Sequence, residues 1–162
     1  MRQSPFFVFC FFTGFVLLLR WSSFLPSVLE HDESTYIVIA GELLRGEVYL
    51  RESVDTKPIG IFWIYQCLLL LTGGSIFWLR FTVSILVAAT AYGWFIVCRQ
   101  ATGSPKVGFM AGLGYCLLSS TFKKYGISPN TELFVNFFYR RGLGVYGRAA
   151  VEGWAPGGFF NL

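Results

Sequence analysis

The chain has 162 residues, of which 54% are hydrophobic, 19% aromatic and only 14% charged. A soluble domain carries about 25% charged residues, so this composition argues against a soluble fold. The net charge of +4 is small and the basic residues form no cluster, which argues against a nucleic-acid partner. There is a single histidine, His31, which excludes a multi-histidine metal site, and the four cysteines lack metal-binding spacing.

The first apolar run covers residues 5–25. It has about the 20 residues that a helix needs to cross a bilayer. A cleaved signal peptide is the alternative, but the run is long for one and no clear cleavage site follows it. We therefore expect an uncleaved signal-anchor helix.

The next segment, residues 26–57, is called the acidic loop because it holds seven of the nine acidic residues. Within it, four apolar residues from Tyr36 to Leu44 fall at the i, i+4, i+7 and i+8 spacing of one helical face. This spacing predicts a short amphipathic helix at the membrane surface, ended by Gly46. The acidic loop is the one long solvated stretch, so chemistry is expected there.

Further apolar runs follow at residues 58–72, 75–97, 107–122 and, incompletely, 132–139. We therefore predict an all-α, multi-pass transmembrane bundle over residues 1–139, located in the plasma or inner membrane. Arg80 interrupts the third run near its start, where its side chain is expected to snorkel to the membrane surface. Residues 140–162 are rich in glycine without periodicity, which indicates a disordered, truncated or out-of-frame end.

An ordered set of short motifs runs from Leu25 to Phe138. In chain order these motifs are LPSVL, HDESTY, AGELLRGEVYLRE, DTKPIG, LTGGSIFWLRF and SPNTELF. The set resembles the GT-C fold glycosyltransferases related to protein O-mannosyltransferases and aminoarabinose transferases. Ile59 stands where that family usually has a second proline after its lysine. Family members are several hundred residues long, so we expect an amino-terminal fragment that is inactive by itself.

The resemblance implies an enzyme that transfers a sugar from a polyprenyl-phosphate donor to a protein, lipid or glycan acceptor. Transfer would occur at the extracytoplasmic membrane face, without a catalytic metal or other cofactor. The alternative is a divalent cation bound through the oxygens of Asp32, Glu33 and Glu132. The bilayer and the lipid-linked donor are then the expected partners, while the oligomeric state is left open. The count of basic residues leans slightly against an extracytoplasmic acidic loop.

The resemblance points to Asp32 as the general base and to Glu33 and Glu132 as further catalytic residues, with Glu33 orienting the acceptor or the base. The alternative for Asp32 is a helix cap, and for Glu33 a solvated acid in the first helical turn. Strict alternation of four crossing helices would place Glu132 on the opposite side of the membrane from Asp32. The two share a side only if one run fails to cross, and the short run 58–72 is the candidate.

Lys57, Arg51 and Tyr36 are the candidate substrate-binding residues. Lys57 would contact the donor phosphate as a point charge; alternatively it is a lysine that snorkels at the interface. Arg51 is either a second phosphate contact or a solvated loop residue. Tyr36 is either a substrate contact or an interfacial aromatic.

Two other classes of function compete with the enzyme. The length and the glycine-rich end are also typical of a truncated, non-catalytic membrane protein or a small membrane subunit. A transporter fragment is less favoured, because the predicted spans carry almost no polar groups that would bind a solute.

Overall fold

The computed structural model of the chain describes residues 5–26, 29–49, 51, 55–121 and 127–139. Every regular element in this part is helical, which confirms the predicted all-α class. The glycine-rich end predicted at residues 140–162 lies outside the described residues.

The helices are, in chain order, α1 (Pro5–Leu19), α2 (His31–Leu44), α3 (Ile59–Thr72), α4 (Ile76–Thr102), α5 (Pro105–Thr121) and α6 (residues 131–139). A short 3₁₀ turn over Trp21–Phe24 follows α1, so the first helix ends earlier than its apolar run. Helix α2 is the short helix predicted in the acidic loop. After it comes Gly46 at φ 94°, a left-handed conformation that suits glycine.

Helices α1, α4 and α5 pack against one another, and α1 and α5 each run antiparallel to α4. Near the start of α4, the Arg80 guanidinium donates to the Ser23 and Pro26 carbonyls at 2.7 and 2.5 Å, just after α1. Farther along α4, Phe95 packs on Phe12 of α1 with ring centroids 6.5 Å apart. The end of α1 therefore lies beside the start of α4.

Two glycines let α5 approach its neighbours closely. A Cβ atom at Gly108 would lie 2.5 Å from the Phe95 carbonyl oxygen. At Gly112 it would lie 2.4 Å from the Phe12 ring and 3.0 Å from the Ala91 carbonyl oxygen. Small residues at this four-residue spacing are a known device for close helix packing. These contacts also give the direction of α5. Gly108 lies beside Phe95 and Gly112 beside Ala91, so α5 runs antiparallel to α4.

Helix α3 does not carry the chain to the other end of the bundle. Lys57, just before α3, contacts Asp32 in the first turn of α2. Arg80, one turn into α4, contacts Glu33 in the same turn. The chain therefore enters and leaves α3 beside the same part of α2. In the bundle, the four apolar runs therefore do not alternate strictly in direction, and the short run is the exception. Which runs cross a membrane stays a prediction.

One described helix is long and apolar enough to span a membrane. This is α4, with 27 residues and a mean hydropathy of 1.9 over its best window. Helices α1 and α3 are apolar but shorter. The finding is consistent with membrane association, while the multi-pass arrangement stays a prediction.

Candidate functional site

The first turn of α2 presents Asp32 to a lysine. The Asp32 Oδ2 atom lies 3.4 Å from the Lys57 Nζ atom, and both side chains are 38% exposed. Asp32 is not the N-cap of α2, because Glu30 occupies that position with extended backbone. The cap alternative for Asp32 is therefore wrong. As a first-turn acid, Asp32 still lies at the positive end of the helix dipole.

The lysine of this pair is held by a fixed turn. The Tyr49 hydroxyl lies 2.7 Å from the Lys57 carbonyl oxygen and 3.0 Å from that of Asp55. The Lys57 backbone N–H donates to the Asp55 carboxylate at 3.0 Å. The pKa of Lys57 is raised, first by the neighbouring Tyr36 and then by the Asp32 carboxylate. The site therefore presents a Lys57 side chain that stays protonated at neutral pH beside the half-exposed Asp32 carboxylate.

Glu33 has entirely different surroundings from its neighbour Asp32. It is 1% exposed, and its two carboxylate oxygens accept from Nε and Nη2 of Arg80, each at 2.8 Å. Such a two-point pair is the strongest geometry between a guanidinium and a carboxylate. Glu33 is thus not a solvated acid of the first turn, and Arg80, 1% exposed, does not snorkel to the surface.

Tyr36 and Arg51 are the other two predicted binding residues. Tyr36 is 1% exposed, and its ring packs edge-on against Phe62 and Tyr65 with centroids 5.9 and 5.3 Å apart. It is therefore part of the core, although it also borders Lys57. Arg51 is exposed on the turn that follows Tyr49.

The structure brings Glu132 to the same end of the bundle as Asp32. Two residues before it, the buried Asn130 side chain donates to Glu30 Oε2 at 3.2 Å. The Tyr65 hydroxyl donates to the Pro129 carbonyl oxygen at 2.7 Å. These contacts dock the start of α6 against α2 and α3. The Glu132 side chain itself is exposed.

An apolar groove of about 650 Å³ lies between α3, α4 and α6. It is lined almost wholly by aliphatic and aromatic side chains, among them Trp63, Leu68, Phe81, Leu86, Phe134 and Phe138. Gly60 also lines it, in the first turn of α3 and three residues after Lys57. One wall of the groove therefore begins in the first turn of α3, three residues along the chain from Lys57.

Sequence reasoning did not predict the burial of two arginines, Arg20 and Arg80, at this end of the bundle. Arg20 is 0% exposed and donates to the Ser119 carbonyl at 3.2 Å and the Ile127 carbonyl at 2.5 Å. It thereby joins the end of α1 to the end of α5. A signal for Arg80 was present, since a charge inside an apolar run is costly and usually faces a partner.

Within the described residues, no group of three or more His, Cys, Asp or Glu side chains is placed to hold a metal ion. The four cysteines are free thiols. Comparisons of the chain with models of protein families, with curated proteins and with solved structures found no match.

Proposed function

We propose that the chain is part of a multi-pass membrane glycosyltransferase of the GT-C fold. It transfers a glycosyl group from a polyprenyl-phosphate-linked sugar to an acceptor hydroxyl at the extracytoplasmic face of the plasma or inner membrane. The observation that carries this proposal is the Asp32–Lys57 pair, 3.4 Å apart, with Lys57 three residues before Gly60, which lines an apolar groove. An anionic lipid needs a cation for its headgroup and an apolar surface for its tail, and both occur here together.

The groove supports a lipid-linked donor by its size and lining. Its volume of about 650 Å³ lies within the roughly 300–1,000 Å³ that is typical of ligand sites. The polyprenyl tail would lie along Trp63 and Phe138, with the phosphate near Lys57. A lysine ammonium is a common phosphate ligand, and Lys57 would exchange Asp32 for the phosphate as its partner.

The chemistry then follows from the two charges of the pair. Once released from Lys57, the Asp32 carboxylate takes the proton from the acceptor hydroxyl. The acceptor oxygen forms a bond to the anomeric carbon of the sugar. The bond from that carbon to the phosphate oxygen breaks, and polyprenyl phosphate leaves with the electron pair. Lys57 stabilises the negative charge that develops on this leaving group.

The packing of α1 and α5 antiparallel to α4 supports a membrane-embedded arrangement. At 1.5 Å per residue, the 27 residues of α4 extend about 40 Å, which exceeds the roughly 30 Å hydrocarbon core of a bilayer. Large apolar side chains are exposed on the neighbouring helices, including Phe6 at 75% and Leu118 at 67%. Bilayer lipid would cover these surfaces.

Transfer of a radiolabelled sugar tests the proposed reaction. Membranes containing the chain are incubated with a polyprenyl-phosphate-linked hexose and an acceptor mixture, and labelled product is counted. Because Asp32 is the base, Asp32→Asn should lower the rate by about 100-fold or more. The control Glu47→Gln, which breaks the exposed 3.9 Å pair with Arg45, should retain the rate. Transfer that Asp32→Asn leaves at the wild-type rate would contradict the proposal.

A further inference from the structure

The buried Glu33–Arg80 pair links three parts of the chain at one point. Arg80 belongs to α4, Glu33 belongs to the first turn of α2, and the Ser23 and Pro26 carbonyls belong to the turn after α1. One guanidinium contacts all of them, with donor–acceptor distances between 2.5 and 2.8 Å. The rotation and position of the start of α2 are therefore set by a residue of a different helix.

This link fixes the direction in which Asp32 points. Consecutive residues of a helix are separated by about 100° around its axis. With Glu33 held inward at 1% exposure, Asp32 is turned toward the half-exposed rim where Lys57 lies. The Tyr49 hydroxyl independently holds the backbone of Lys57, at 2.7 Å from its carbonyl oxygen. Each member of the exposed pair thus has its own support from a buried or half-buried side chain.

We infer that Arg80 is a positioning residue, which acts through Glu33 to place the Asp32 carboxylate beside Lys57. Arg80 is 1% exposed and holds the Glu33 carboxylate, so it acts on Asp32 through the neighbouring residue of the same helical turn. In the reaction proposed above, its contribution is to hold the base in place before the acceptor arrives. That consequence rests on the proposed function, whereas the geometry does not.

The reactivity of the Lys57 amine tests the inference without using the reaction. Full-length chain in lipid nanodiscs is treated with an amine-acylating reagent at a fixed alkaline pH, and the rate at Lys57 is read by peptide mass spectrometry. The exposed Lys106 in the same molecule is the internal reference. Only the neutral amine reacts, so loss of the Asp32 carboxylate from its side raises the rate at Lys57. Asp32→Asn provides the fully released value.

The expected result is that Arg80→Lys and Glu33→Asp raise the Lys57 rate several-fold toward that of Asp32→Asn, while the Lys106 rate stays constant. Both substitutions keep the charge but lose the two-point geometry. Glu47→Gln, which breaks only the exposed pair with Arg45, should leave the rate at the wild-type value.

Two outcomes overturn the inference. One is a wild-type Lys57 rate in both Arg80→Lys and Glu33→Asp when Asp32→Asn raises it. The other is an equal rise at Lys57 and Lys106, because that pattern reports general loosening of the fold. Should Arg80→Lys fail to fold, Glu33→Asp carries the test. A transfer rate that Asp32→Asn leaves unchanged would overturn the proposed function and leave this labelling result unchanged.

Discussion

Two neighbouring acids in one helical turn have opposite energetic roles. Asp32 shares its pair with Lys57 at a rim where both side chains are 38% exposed. Glu33 is paired with Arg80 where the two side chains are 2% and 1% exposed. An exposed pair is screened by water, while a buried pair leaves an uncompensated charge when one partner is removed. Asp32 is therefore available for chemistry, and Glu33 holds the structure.

Asp32→Asn should change the free energy of unfolding by less than about 1 kcal/mol, because exposed ion pairs contribute little. Thermal or denaturant unfolding in detergent measures this value. A larger loss of stability would mean that Asp32 has a structural role that its exposure does not suggest.

Arg80→Met should lower the free energy of unfolding by about 3–5 kcal/mol, because it leaves the Glu33 carboxylate buried without its counter-ion. The same unfolding measurement applies. Arg45→Gln is the matched control, since the Arg45 side chain is 68% exposed and its pair with Glu47 is long at 3.9 Å. Equal stability of the Arg80 and Arg45 variants would contradict the account of the buried pair.

The Asp32–Lys57 pair also predicts a pH dependence. The pKa of Lys57 is raised above its usual 10.5 by Tyr36 and then Asp32. The pair's contribution to stability is therefore fully present below pH 10.5 and lost as the pH rises through the raised pKa. Titrating the acylation rate of Lys57 should give a lower midpoint in Asp32→Asn than in wild type. Identical midpoints would show that the carboxylate does not act on the lysine.

The candidate site was predictable from the sequence only in part. Composition draws attention to the solvated segment that contains Asp32 and Lys57, and the family resemblance singled out these two residues within it. The burial of Glu33 against Arg80 was not predictable, because nothing in the local sequence pattern distinguishes Glu33 from Asp32. The difference comes from Arg80, which lies 47 residues later on another helix.

At the scale of elements, α5 depends on two glycines that a local pattern would disfavour. Glycine in a helix interior costs about 1 kcal/mol relative to alanine. Gly108 and Gly112 are retained where a Cβ atom would meet a neighbouring backbone oxygen at 2.5 and 3.0 Å. Gly114, on the same helix, has no such neighbour within 4 Å. Packing outweighs helix propensity at the first two positions and not at the third.

Gly108→Ala and Gly112→Ala should therefore each lower the free energy of unfolding by about 1–3 kcal/mol through overpacking. Gly114→Ala should raise it by up to about 1 kcal/mol through helix propensity. Unfolding of the three variants in one detergent gives the comparison. Stabilisation by all three substitutions would contradict the close approach of α4 and α5.

The apolar runs predicted the helices but not their directions. The run at residues 58–72 became α3 almost residue for residue. Whether such a run crosses a bilayer or turns back depends on what its two ends contact, since apolarity is the same in both cases. Here Lys57 precedes α3 and Arg80 follows it, and both form ion pairs with acids in the first turn of α2.

At the scale of the whole molecule, the candidate catalytic acids lie at one end of the bundle. Asp32, Lys57 and the start of α6 lie there, joined by the Asn130–Glu30 contact at 3.2 Å. The connection between α4 and α5, with Gly103 at φ 69°, lies at the other end. If the bundle crosses a membrane, Glu132 shares a side with Asp32.

Cysteine labelling tests that arrangement. In a variant with the four native cysteines replaced by alanine, single cysteines are placed at Asp55, Glu132 and Ala101. A membrane-impermeant thiol reagent is then added to vesicles of each orientation. Asp55→Cys and Glu132→Cys should react from one side, and Ala101→Cys from the other. Labelling of Ala101→Cys together with Asp55→Cys, with Glu132→Cys reacting from the other side, would restore strict alternation and contradict the fold described here.

The most direct measurement is binding of polyprenyl phosphate to the chain in nanodiscs, compared with the matched polyprenol that lacks the phosphate. The account predicts saturable binding that prefers the phosphate and is weakened about tenfold or more by Lys57→Gln, the loss of a charge-assisted phosphate contact. Arg45→Gln should bind as wild type does. Equal binding of the two lipids, or full binding by Lys57→Gln, would contradict the assignment of this site to a lipid-linked phosphate donor.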